Sequence, residues 1–372
     1  MAWFKSELRT FLVIPSQLAG AVTGIGSLPY TSPVEAVRAI ADCCPEIPFW
    51  PQLPQLSERE TVIGQGLGIL ADFVEPRAGG YGYQVKPGRI DAVIEALHNS
   101  AGCLTPADSA GFPVFEESIK RPMFPSAIAV KGQIEGPVTL ATYLFYRDRA
   151  FLADSSPFSA VAFHIAQIAC WQIERLQRSD LPVLMFVDEP ALCLDEAVSK
   201  GIPQERRLSA LSSIFEDIRA RGAFSGLHCC AQRPFDRICV ADPDILSFDA
   251  HQGLEEFFSS RSALEFLDRG GWVAYGLVPT SSDLSALRPG SIFSRWLVAA
   301  SLARDPQDLA QSTIITATCG LGLLAPPAVI ESFQIAADVG AMIRKLAPGT
   351  SQPTWRTGGK GEKRPPGSSP SS

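Results

Sequence analysis

The strongest constraint on this chain is an alternation. About eight short apolar runs recur along it, separated by longer stretches with helical periodicity. The runs are AVTGIGSLP from Ala21, EIPFWPQLP from Glu46, AIAVKGQIEGP from Ala127, PVLMFVDEP from Pro182, AFSGLHCC from Ala223, DILSFDA from Asp244, GWVAYGLVPT from Gly271 and STIITATCG from Ser312. They are largely apolar throughout, the pattern of strands covered on both faces. Between them, SPVEAVRAIADCC opens on a Ser–Pro cap with a first-turn Glu. PFSAVAFHIAQIACWQIERLQRS, ERRLSALSSIFEDIRARG and GLEEFFSSRSALEFLDRGG have helical spacing, and two of these stop at Gly.

Eight strand–helix units in this order predict an α/β fold, a (β/α)8 TIM barrel. The stretch from about Pro54 to Ser126 is too long for one unit. It predicts an insertion after the second strand, in which RAGGYGYQVKPG forms a loop or hairpin over the barrel mouth. The barrel is expected to be one domain over 1–348. The polar, Gly/Pro/Ser-rich tail 349–372 is expected to be disordered.

With 46% hydrophobic and 19% charged residues, a sizeable core is expected. A net charge of −7 argues against a nucleic-acid or anionic-membrane surface, since both require a basic patch. Nine cysteines is an odd number without disulfide-framework spacing. The opening MAWFKSELRTFLVIPSQLAG lacks a signal-peptide core, and no apolar run reaches the roughly 18 residues of a membrane span. A soluble, reduced, cytoplasmic protein is the expectation. In that setting Cys/His clusters point to metal binding or catalysis.

In such a barrel the chemistry sits where strands end. His228 and Cys230 close the fifth strand two residues apart, so both side chains point to one side while Cys229 faces into packing. Cys319 ends the eighth strand and Asp249 the sixth. One imidazole, two thiolates and a carboxylate suit tetrahedral zinc, and the sulfurs argue against magnesium or calcium. His251 or Glu255 could replace Asp249. The remaining cysteines (Cys43, Cys44, Cys103, Cys170, Cys193 and Cys239) read as packed core residues. Ser27 follows GIG on the first strand, where Gly24 and Gly26 would let a ligand approach the backbone. Asp188 and Glu189 end the fourth strand, either as a helix cap or as polar substrate contacts. Glu58, Arg59 and Glu60 follow the second strand, either as a solvated charge cluster or as part of a site.

Taken together, these motifs resemble the catalytic barrel of cobalamin-independent methionine synthases, in a single-barrel form within the uroporphyrinogen decarboxylase/methionine synthase-like superfamily. TGIGSLP resembles the family's I-G-S-F-P opening, IEGPVTLATYLF its G-P-V-T segment and FVDEPAL its I-D-E-P-A-L strand end. LHCCAQ resembles its H-x-C zinc pair, ILSFDA stands at its I-E-T acidic ligand, and TCGLG resembles its D-C-G-L closing cysteine. The six segments run in the same order from about Val22 to Leu321.

The resemblance implies a zinc enzyme that methylates the thiol of homocysteine to give methionine. It implies His228, Cys230, Cys319 and Asp249 as zinc ligands, with Asp188 beside them in the catalytic set. Gly26, Ser27, Glu58, Tyr143 and Asp188 would bind substrate. Ser27 and Asp188 would hold its amino-acid end.

The chain also departs from the family. Folate-dependent members have two barrels, and this chain has room for one. Tyr143 stands where they carry a tryptophan that helps place the folate. Their seventh strand ends in D-I-H-S, and here the sequence is GLVPTSS, with Pro279, Thr280 and Ser281 and no histidine. Their G-E-x-E-R loop becomes QLSER, with Leu56 at the first glutamate. The folate-handling positions are thus the altered ones. The expected methyl donor is a methylcorrinoid on a partner protein instead of polyglutamyl methyltetrahydrofolate. Alternatives are another acceptor such as a coenzyme M-like thiol, a uroporphyrinogen decarboxylase-like protein, and a non-catalytic zinc barrel.

Overall fold

The computed structural model describes residues 13–78, 80–193, 201–230, 235–280 and 283–347. Its strands are β1 (Val74–Pro76), β2 (Tyr83–Val85), β3 (Val130–Glu135), β4 (Leu144–Tyr146), β5 (Arg149–Ala150), β6 (Val183–Asp188), β7 (Phe224–Cys229), β8 (Ile245–Phe248), β9 (Trp272–Val278) and β10 (Thr313–Ala317). Six of them form a curled parallel sheet in the order β10-β9-β8-β7-β6-β3, and helices alternate with them along the chain. The last six apolar runs of the sequence supply this sheet.

The first two runs do not become regular strands. They are extended segments joined to their neighbours by single parallel bridges, Val22 to Ile315, Ser27 to Gln52 and Phe49 to Lys131. Backbone bonds support each junction: Thr23 N–H donates to the Ile315 carbonyl at 3.1 Å, Gln52 N–H to Gly26 at 3.0 Å, and Lys131 N–H to Pro48 at 2.9 Å. In the second run the prolines explain the interruption. Pro48, Pro51 and Pro54 have no N–H to donate to a ladder, although their carbonyls still accept.

Side chains alternate along the sheet. Leu184 and Phe186 join Ala21, Ile47, Phe224, Ile245, Trp272 and Ile314 in a cluster on the concave face. Val183, Met185 and Val187, at the intervening positions of β6, belong to the larger core beneath the helices. Both faces of the sheet are therefore covered, which is why its runs read as continuously apolar.

The helices follow their local signals. Ser32 caps Pro33–Cys43 by accepting from the Glu35 N–H. Asp154 caps the long helix Ser155–Leu176 in the same way. GLEEFFSSRSALEFLDRGG divides into Ala250–Ser259 and Arg261–Asp268, because Ser260 ends one helix and caps the next. In the insertion, β1 and β2 pair as an antiparallel hairpin. β2 then pairs in parallel with β4, which tethers the hairpin to the segment after helix Pro137–Tyr143. The expected tail 349–372 lies outside the described residues. Among those described, no helix is long and apolar enough to cross a membrane.

Candidate metal centre

β7 delivers its last inward-facing residue, His228, to the C-terminal edge of the sheet, and Cys230 follows just beyond it. Cys319 stands two residues past β10. One ligand atom from each of His228, Cys230 and Cys319 lies within 4.8 Å of the other two. His228 is buried and both cysteines are half-buried. Cys229 is fully buried in the core beneath the helices and stays outside the group. Tetrahedral zinc with bonds of about 2.0–2.3 Å separates its ligands by roughly 3.3–3.8 Å, so this spacing suits such an ion.

The imidazole is held from one side. His228 Nδ1 lies 2.9 Å from Ser247 Oγ, while Nε2 is buried without a hydrogen-bond partner. The two thiols hydrogen-bond to each other. That bond, with His228 acting in the same direction, draws the Cys319 thiol down; the same bond, with burial, pushes the Cys230 thiol up.

The adjacent acids Asp188 and Glu189 have opposite fates. Asp188 ends β6 on the concave face, in register with His228. Its Oδ1 has no partner. Burial pushes its carboxyl up to about 6, against the attraction of His228 and Lys131. Glu189 turns away and accepts from Val138 N–H at 2.7 Å, Thr139 N–H at 2.9 Å and Thr139 Oγ1 at 2.7 Å. It thus satisfies the N-terminus of helix Pro137–Tyr143. A Cβ at Gly136 would overlap this carboxyl, so the glycine makes room for it.

A cavity of about 760 Å³ opens beside these three residues. Ser27, Tyr143, Asp188, His228, Cys230 and Cys319 all line it. Its size suits a small-molecule site. Tyr81, from the inserted hairpin, lines it too and packs edge-on against Tyr143 with ring centroids 5.4 Å apart.

Other residues singled out in the sequence stand elsewhere. Asp249 is outside the three-residue group and caps helix Ala250–Ser259 by accepting from Gln252 N–H at 3.0 Å. Glu255 is clamped by Arg295 through two bonds, at 2.7 and 2.6 Å, and the carbonyl of His251 accepts from the same guanidinium. Glu58 is exposed and does not line the cavity. Arg59 pairs with Asp108, and Glu60 is buried, accepting from Leu53 and Ala110 N–H groups. The space at Gly24 and Gly26 is taken by the Phe49 ring and by the side chains of Gln52 and Gln133.

Sequence reasoning passed over Lys131, Ser247 and Tyr81. Lys131 is buried on the concave side, donating to the Ile25 carbonyl at 2.6 Å and to Gln133 Oε1 at 3.0 Å. Its ammonium lies 4.8 Å from the Phe186 ring centroid. A lysine two residues before Gln133, in a strand buried along its whole length, was the available signal.

No family model matches the chain, and no curated protein matches it. Among solved structures, a B12-independent methionine synthase from Shewanella sp. W3-18-1, in complex with selenomethionine, is 17% identical with a TM-score of 0.42, covering 62% of this chain and 67% of that one. A Cellulomonas fimi endo-β-1,4-mannanase double mutant is 14% identical with a TM-score of 0.38, covering 66% and 61%. A modular endo-β-1,4-mannanase of glycoside hydrolase family 26 from the same organism is 15% identical with a TM-score of 0.38, again covering 66% and 61%. Likenesses at this level do not choose among activities.

Proposed function

We propose that this protein is a zinc-dependent methyltransferase that moves a methyl group to the thiol of homocysteine, forming methionine. One observation carries the reading: an imidazole and two thiols, brought from segments about ninety residues apart, converge at the wall of a ligand-sized cavity. The donor set fits zinc, because Nε2 of His228 is buried without a hydrogen-bond partner and one ring nitrogen lies within 4.8 Å of both sulfurs. His228, Cys230 and Cys319 would hold the ion, with Asp249 as an exchangeable fourth ligand released from its helix cap. When bound, zinc supplies Lewis acidity that lowers the pKa of a thiol from its usual value of about 8.5.

The protein's own groups do the rest. Asp188 presents an unpartnered carboxylate oxygen suited to a substrate ammonium. Ser27, which lines the same cavity, would offer a hydroxyl to the substrate carboxylate. Tyr81 and Tyr143 also line the cavity and would limit the orientations of a methyl donor. Aligning sulfur, methyl and leaving group in this way is where orientation contributes most to rate.

A methylcorrinoid protein is the proposed donor. A folate amine needs a proton as it leaves, whereas cobalt(I) does not. No histidine stands after β9, where Pro279 and Thr280 follow the strand.

On this reading the two bridged segments act as the first two strands of a (β/α)8 barrel. The barrel forms a single domain, and the protein belongs with the methionine synthase barrels and works in the cytoplasm. The test is metal analysis together with an assay of methylcobalamin and homocysteine. Stoichiometric zinc and methionine formation are expected. Bound zinc with no methionine formed would reject the activity.

A further inference from the structure

We infer that Ser247 is a positioning residue for the metal centre, fixing the His228 tautomer so that Nε2 offers its lone pair to the ion. The inference rests on the zinc reading and adds a residue to it. Ser247 lies on β8 in register with His228 on β7. Paired residues on parallel strands lie about 4.8 Å apart and share a face. Both are buried, at 1% and 3% exposure, so water does not compete for the contact. Neutral imidazole carries one N–H. With the proton on Nδ1, it donates to Ser247 Oγ across 2.9 Å, and Nε2, buried without a partner, keeps a bare lone pair for an ion. With the proton on Nε2, that N–H would face sulfur, a weaker acceptor than oxygen, and the nitrogen would be closed to metal.

A serine at this position also divides the labour. Metal-binding histidines often lean on a carboxylate, and Asp188 is the other register partner of His228. Because Ser247 takes the imidazole N–H, the Asp188 oxygen stays uncommitted and faces the cavity.

The test uses the full chain with 15N-labelled histidine, a tractable label because the sequence has four histidines. In metal-free protein, two-bond 1H–15N correlations should show His228 protonated on Nδ1. Ser247→Ala should shift the population toward Nε2–H, and Ser247→Thr should restore it. By competition with a chromophoric chelator, Ser247→Ala should bind zinc roughly 10–100-fold more weakly, and Ser247→Thr should bind like the wild type. An alanine variant with the wild-type tautomer and wild-type zinc affinity would overturn the inference. If the wild type binds no zinc while Ser247→Ala still shifts the tautomer, the zinc reading falls and the role of Ser247 in holding the ring stands.

Discussion

His164 makes acid stability a quantitative test of the packing behind the cavity wall. Its ring is buried in helix Ser155–Leu176, with Nδ1 2.6 Å from Ser100 Oγ and Nε2 3.0 Å from the Gly66 carbonyl. Gly66 ends the short helix Val62–Gly66, whose Val62 and Ile63 line the cavity. Burial pulls the imidazole down to about 4, with the Gly66 carbonyl opposing. The unfolded chain takes up this proton near pH 6.5, and the folded protein does not until about pH 4. Between those values the unfolded state binds more protons, so stability falls as pH falls. The full linkage is about 3 kcal/mol, of which about 2 kcal/mol is lost between pH 7.5 and 5. Other groups titrate in this range, so the measurement is a double difference. Urea unfolding of wild type and His164→Gln at pH 7.5 and pH 5 should show the wild type losing about 2 kcal/mol more than the variant. Equal losses in both proteins would mean that His164 is solvated or charged in the folded state, and the argument from burial would be wrong.

Three further outcomes are expected. Cys230→Ser, Cys319→Ser and His228→Ala should each lose zinc by metal analysis, whereas Cys229→Ser, altering a residue outside the ligand group, should keep it. Zinc loss in Cys229→Ser alone would show the strand register to be misread. Gly136→Ala should lower stability by about 2–4 kcal/mol in chemical denaturation, because its Cβ would displace the Glu189 carboxyl from three buried donors. A loss under 0.5 kcal/mol would argue against that packing. In a donor screen, methylcobalamin should support methionine formation and methyltetrahydrofolate should not. Turnover with the folate alone would refute the corrinoid assignment.

Much of the frame was legible because it depends on short-range physics. Apolar runs and helical spacing announced the six strands of the parallel sheet and helices such as Ser155–Leu176. Ser32 and Asp154 cap through bonds to residues two or three positions away, which a sequence displays directly. The first two runs were read as strands because their composition is apolar. The prolines of the second run broke its ladder, and that cost weighs only once a neighbouring strand is in place.

At the centre, strand parity alone places His228 and Cys230 on one side and Cys229 on the other, so that much is a property of the chain read in order. Tertiary structure decided the remainder. It brought Cys319 to within 4.8 Å of that pair, and it sent Asp188 into the cavity while its neighbour Glu189 went beneath a helix. It also set Asp249 to capping. A carboxylate goes where burial is offset by donors or by a cation, and those partners come from distant segments. Local periodicity reveals which face a residue takes, whereas the identity of its neighbours on that face exists only after the chain has closed on itself.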